Sequence, residues 1–127
     1  MFTKASIVFV LLFSMLSAGL MAQVTVKRGA VVYHGSASNT TAPATIDEKA
    51  VRESTPEWRK MQDEDIDPES AHGKQLIVKM NQRIREAVKS VATAESRDMV
   101  TRKQDMKDGQ GREVVDLTQK VVDKISE

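Results

Sequence analysis

The chain has 127 residues, with 19 Lys and Arg against 18 Asp and Glu for a formal charge of +1, no Cys, and only one Trp, one Tyr and three Phe. That length provides one domain, and the balanced charge excludes the bulk electrostatic footprint of a nucleic-acid-binding chain. The lack of Cys excludes a disulfide framework, a thiol nucleophile and a lipid attachment site of the lipoprotein kind.

At the start, Lys4 is followed by the apolar run Ile7 to Leu16, the small residues Ser17, Ala18 and Gly19, and then Met21-Ala22-Gln23. This is the order of a secretory signal, so residues 1–22 are read as a signal peptide, with cleavage after Gly19 or Ala22. The alternative is a retained anchor, because Ala5 to Ala22 is at the short edge of what spans a bilayer. Cleavage removes all three Phe and leaves Tyr33 and Trp58 as the only aromatics. The mature core must then be aliphatic and thin, and such small domains commonly gain stability by packing subunits together.

Val24 to Tyr33 carries β-branched residues around Lys27-Arg28-Gly29 and reads as a strand or strand pair near an edge. From His34 the chain turns to Gly, Ser, Asn, Thr and Pro, so residues 23–43 are expected to be an N-terminal strand and a flexible linker. Asn39-Thr40-Thr41 has the spacing of a glycosylation sequon, which a polar loop also produces by chance. Residues 44–127 form the main domain. Ala44-Thr45-Ile46 predicts a brief strand and Asp47 to Glu53 a helical turn or two.

Thr55-Pro56-Glu57 and Asp67-Pro68-Glu69 are matching helix starts: a capping oxygen, Pro at the first helical position, and an acid at the positive end of the dipole. They predict helices from Pro56 to Gln62 and from Pro68 to Glu95, joined by an αα-hairpin reversal at Asp63 to Asp67. On the longer helix Ile77, Met80, Ile84, Ala87 and Val91 fall in one stripe, widened by Leu76, Val88 and Ala92. Lys74, Lys79, Arg83, Arg85 and Lys89 lie largely outside it. Further on, Asp98 to Arg102 predicts a strand, Lys103 to Arg112 a polar turn, and Glu113 to Val115 the partner strand. Asp116 caps a last helix, Gln119 completes a capping box, and Leu117, Val121, Val122 and Ile125 form the apolar side. The class is α+β: a small β-sheet body, a long amphipathic helix in a short αα-hairpin arm, and a C-terminal helix.

These parts, in this order, carry short motifs: Ala87-Val88-Lys89-Ser90-Val91-Ala92 at a helix end, Asp98-Met99-Val100 on a strand, and Asp116-Leu117-Thr118 with Val121 and Val122 opening the last helix. The pattern resembles that of the Skp/OmpH periplasmic chaperones over about Ala44 to Ile125. Its key positions here are Asp98, Val100, Asp116, Leu117 and Thr118. The resemblance implies a homotrimer in the periplasm, with a central strand body and helical arms that hold unfolded outer-membrane proteins without ATP. Family arms are long coiled hairpins, whereas the outgoing helix here has only a turn or two. An alternative is therefore a non-catalytic structural or adaptor protein of the bacterial envelope on the same trimeric body.

For function, the seam of Ile77, Met80, Ile84, Ala87, Val88 and Val91 is read as core or subunit interface, with a client groove as the sharper alternative. The basic residues Lys74, Lys79, Arg83, Arg85 and Lys89 are a solubilising face, or a contact for acidic clients or an anionic membrane surface. The acids Asp63, Glu64, Asp65, Asp67 and Glu69 alternate like calcium ligands, but Pro68 and Lys74 stand where an EF-hand loop needs Gly and Glu. They are read as a solvated hairpin tip. His34 and His72 have no second His at ligand spacing, and no nucleophile, base and orienting group can be assembled. The reading is not an enzyme, with no cofactor, no metal and no nucleic acid.

Overall fold

The computed structural model describes residues 24–127, so the segment expected to be an export signal lies outside the described residues. The chain is α+β. Its elements run β1 (Thr25–Val26), β2 (Val32–Gly35), β3 (Pro43–Ile46), α1 (Glu48–Glu53), α2 (Pro56–Asp63), α3 (Ala71–Ala94), β4 (Met99–Arg102), a 3-10 turn (Lys103–Asp105), β5 (Met106–Asp108), β6 (Val115–Asp116) and α4 (Thr118–Ile125).

Four strands form one sheet in the order β2-β4-β3-β6, and β1 pairs with β5 in a separate two-stranded ribbon. β3 is parallel to both neighbours, with Ala44 opposite Val100 on one side and opposite Val115 on the other. All four of its residues are buried. Pro43 is tolerated because it occupies the first position of the strand, where a missing N–H interrupts the ladder least.

This arrangement corrects the expected hairpin between Asp98 to Arg102 and Glu113 to Val115. β4 and β6 share a sheet, but β3 lies between them. β3 is buried along its whole length, so its backbone N–H and C=O groups need partners on both edges, and β4 and β6 supply one edge each. The expected flexible linker is also corrected. Its first residues extend β2, which pairs antiparallel with β4, and its last ones open β3.

The helices follow local chemistry more closely. Asp47 caps α1 by accepting from the Ala50 N–H, and Thr55 caps α2 by accepting from Trp58, with Pro56 in the first turn. α2 and α3 then run antiparallel, since Glu57 near the start of α2 reaches Arg83 far along α3. α3 begins at Ala71, capped by Ser70 Oγ accepting from the Gly73 N–H, and not at Pro68. Asp67 and Ser70 are both good capping residues. The reversal decides between them: the Asp67 carbonyl oxygen approaches to 2.1 Å from where a Cβ of residue 73 would stand, which only Gly permits. Pro68 therefore belongs to the turn.

The two helices of the hairpin end in the same way. After α2, Ile66 N–H bonds Met61 O and Asp65 has φ 49°; after α3, Arg97 N–H bonds Ala92 O and Ser96 has φ 55°. These are Schellman closures, with a non-glycine residue in the left-handed position. At the last helix, Asp116 sits one residue further out than a capping box requires. Gln119 turns to Asp123 and does not reach back.

One core joins the layers. Ile46, Val51, Met80, Ile84, Val88, Val100, Leu117 and Val121 are its larger members, with Tyr33, Trp58, Ile77, Val115 and Val122 packed at the rim. No helix among the described residues is long and apolar enough to cross a membrane.

Candidate functional site

The motif residues gather around β3, at its two ends. Asp98 is half-buried and accepts from the Thr40 hydroxyl, the Thr41 N–H at 2.7 Å, the Thr41 hydroxyl at 2.9 Å and the Ala42 N–H at 3.0 Å. Burial alone would raise its pKa. The hydrogen bonds from Thr40, Thr41 and Ala42 outweigh that and hold the carboxyl well below the usual carboxylate range. Asp98 thus fixes the turn that delivers the chain into β3.

At the other end Leu117 N–H donates to Thr45 O, and Asp47 N–H donates to Thr118 Oγ1 at 2.8 Å. That hydroxyl donates in turn to Asp116 Oδ1 at 2.5 Å, while Lys103 Nζ lies 2.5 Å from Asp116 Oδ2. Burial again opposes ionisation of Asp116, and the hydrogen bonds from Lys103 and Thr118 reverse the sign and lower its pKa. Val100 and Leu117 are fully buried. Asp98, Val100, Asp116, Leu117 and Thr118 therefore converge as the joints of one strand.

The seam is closed within the chain. Met80, Ile84, Ala87, Val88 and Val91 are buried, and α3 packs against α2, α4 and the sheet. Ile77 stays half-buried, at the rim. No second chain is needed to cover this stripe, so its sequence period reported a core and not an open interface.

The basic face divides. Arg83 leaves it to embrace Glu57, with Nε donating to both carboxylate oxygens and the second guanidinium nitrogen at 2.8 Å. Glu57 is 7% exposed. Burial pushes its pKa up, but the bonds from Arg83 more than compensate, and it stands below the ordinary glutamate value. Lys74, Arg85 and Lys89 make no ion pair among the described residues. Lys79 contributes only its field at Glu57. The same face carries Val78, which is 65% exposed and is the one large hydrophobic left open among the described residues. The acids at 63–65, 67 and 69 are exposed along the α2–α3 turn, as expected of a hairpin tip.

Two features escaped sequence reasoning. One is a groove of about 310 Å³ between α1, α2 and α3, walled by Trp58, Met61, Pro68, Ile77 and Met80, with Arg52 and Glu48 at one end. The Arg52 guanidinium carbon lies 6.0 Å from the Trp58 ring centre, within cation–π range. The other is a polar brace. Tyr33 Oη donates to Glu48 at 2.9 Å, and Glu48 meets both Arg52 and Arg102. Arg102 Nε bonds the buried Asp105 at 2.6 Å, which also accepts the Val31 N–H. Burial, then the Glu48 bond, raises the Tyr33 pKa far above its usual value. Glu48–Arg52 and Arg102–Asp105 are neighbours at helical spacing, but the bonds that join them to each other and to Tyr33 and Val31 link residues far apart in sequence and leave no spacing signal.

No family model, no curated protein and no solved structure matches the chain.

Proposed function

We propose that this chain is a non-catalytic binding protein of the bacterial envelope, exported to the periplasm and built on an Skp/OmpH-like body that assembles as a homotrimer. The observation that supports the kinship is the convergence of Asp98, Asp116 and Thr118 on the two ends of β3, where their hydrogen bonds hold that strand in place. The α2–α3 hairpin is its arm.

Within that reading the adaptor role fits the surface better than a client-enclosing cage. α2 has 8 residues against the 24 of α3, and the apolar stripe of α3 is already buried. The holdase reading draws on the Trp58 groove. Its walls are apolar, it includes the adaptable side chains of Met61 and Met80, and its volume suits one side chain of an extended unfolded segment. A holdase of this kind would release and rebind segments of unfolded outer-membrane proteins without ATP.

An aggregation assay with an unfolded outer-membrane barrel protein separates the two. Suppression at several-fold molar excess, lost on Trp58→Ala, supports the holdase; no suppression leaves the adaptor. Light scattering tests the body itself, because a stable monomer at micromolar concentration removes the trimer from both readings.

A further inference from the structure

Trp58, on one wall of the groove between α1, α2 and α3, is held from two sides. Its neighbour Glu57 is gripped by Arg83 of α3 through three hydrogen bonds, which ties α2 to α3 one residue from the indole. Arg52 lies over the ring and is held by Glu48, which Tyr33 and Arg102 hold in turn. The groove is therefore formed before anything enters it, and binding there orders little. Met61 and Met80, each 4% exposed, form its floor, and Pro68 and Ile77 complete the walls. Asn81 also lines it, is exposed, and has no hydrogen bond from its carboxamide among the described residues.

These residue types select an occupant. A thioether sulfur gains from contact with the edge of an aromatic ring, and an indole pairs with a second ring in offset or edge-to-face geometry, each beyond what burial of area provides. A branched alkyl side chain gains the area alone. Glu48 and Arg52 neutralise each other, so nothing in the groove draws in a charged group. The Asn81 carboxamide offers an acceptor and two donors, the complement of a peptide unit. We infer that the groove takes one aromatic side chain of an extended peptide segment, packed against Trp58 and the sulfurs of Met61 and Met80, while Asn81 bonds the segment's backbone. The inference rests on the holdase reading above and names the unit that is bound. Outer-membrane barrel strands carry aromatic residues at both membrane interfaces, so an unfolded barrel protein presents such units repeatedly. An acyl chain leaves Asn81 without a partner, which sets a lipid apart from a peptide.

Trp58 is the single Trp of the chain, so its fluorescence reports the groove directly. The purified protein is titrated with a blocked tripeptide that has Phe at its centre, and with counterparts that have Leu or Ala there. The Phe peptide is expected to saturate the signal with a Kd of about 0.1–1 mM, about two- to tenfold tighter than the Leu peptide, and the Ala peptide to leave it unchanged. Asn81→Ala, at an exposed position, weakens the Phe and Leu peptides alike by about two- to tenfold, because it removes a backbone contact. Met61→Leu with Met80→Leu keeps the apolar volume and narrows the preference for Phe over Leu. Circular dichroism confirms that both variants are folded. No saturable change up to about 10 mM, equal affinity for Phe and Leu, or full affinity in Asn81→Ala overturns the inference. Phe-selective binding by a protein that suppresses no aggregation keeps the groove assignment and removes the holdase, whereas suppression without Phe selectivity keeps the holdase and removes the assignment.

Discussion

Replacing Asp98 by Asn changes one oxygen to an NH2 and removes one charge, and the structure says why that small change is costly. Four donors point at the carboxylate, two of them backbone N–H groups with no alternative partner shown. An amide accepts through one oxygen only, so at least one donor faces another donor. A hydrogen bond to a charged group contributes about 1.5–3 kcal/mol when well sheltered. Thr41 is exposed, and its bonds are discounted for solvent. The net loss at neutral pH is then about 2–3 kcal/mol, which lowers Tm by roughly 10–20 °C in a domain of about 100 residues. The pH dependence follows from the depressed pKa of Asp98. A carboxyl held below its unfolded value stabilises the fold fully above that unfolded value, near 3.8, and progressively less as pH falls toward the folded value. Urea unfolding of both proteins at pH 7 and pH 3 measures this: the gap is full at pH 7 and narrows at pH 3. A gap below about 0.5 kcal/mol at pH 7, or one that widens in acid, refutes the account of Asp98 as the clamp of β3.

The other predictions concern packing and backbone. Ile84, 2% exposed, sits in the core, so Ile84→Asp destabilises by more than about 4 kcal/mol, whereas Arg85→Asp on the open face leaves the monomer fold within about 0.5 kcal/mol; circular dichroism melts decide, and equal tolerance means the faces are assigned wrongly. Gly73→Ala in a regular helix ordinarily stabilises by about 1 kcal/mol, but here the new Cβ meets the Asp67 carbonyl oxygen, and we expect net destabilisation of about 1–3 kcal/mol by chemical denaturation. Ser96→Gly relieves a left-handed serine and raises stability by about 0.5–1 kcal/mol, with a Tm increase of a few degrees as the readout.

What could be read from the sequence was what is local. Thr55, Pro56 and Glu57 act within one turn, and the helix starts where they say. The stripe from Met80 to Val91 has a period, and its members are buried. What covers that stripe has no period. α2, α4 and the sheet come from both sides of α3 in the chain, so the choice between core and subunit seam was open until the packing was seen. Asp67-Pro68 misled because a second valid cap stands three residues on, and the choice rested on the space left by Gly73. The sheet order was illegible for a related reason: β6 is two residues long and pairs with a strand on the far side of three helices. Asp98 and Thr118 clamp opposite ends of the same four residues, and their spacing in the sequence carries no sign of it.

The position of β3 also dictates an order of events in folding. Its two ladders are made only with strands after α3, so neither can form until residues beyond position 98, and then beyond 114, are available. The chain must close a long loop, from Ala44 to Val100, before β3 gains any neighbour, which favours slow nucleation on a helical scaffold of α2 and α3. A chain cut short before β6 leaves one side of β3 bare and apolar, a template for aggregation. The last dozen residues thus act as the latch whose arrival ends the vulnerable phase of the molecule's life.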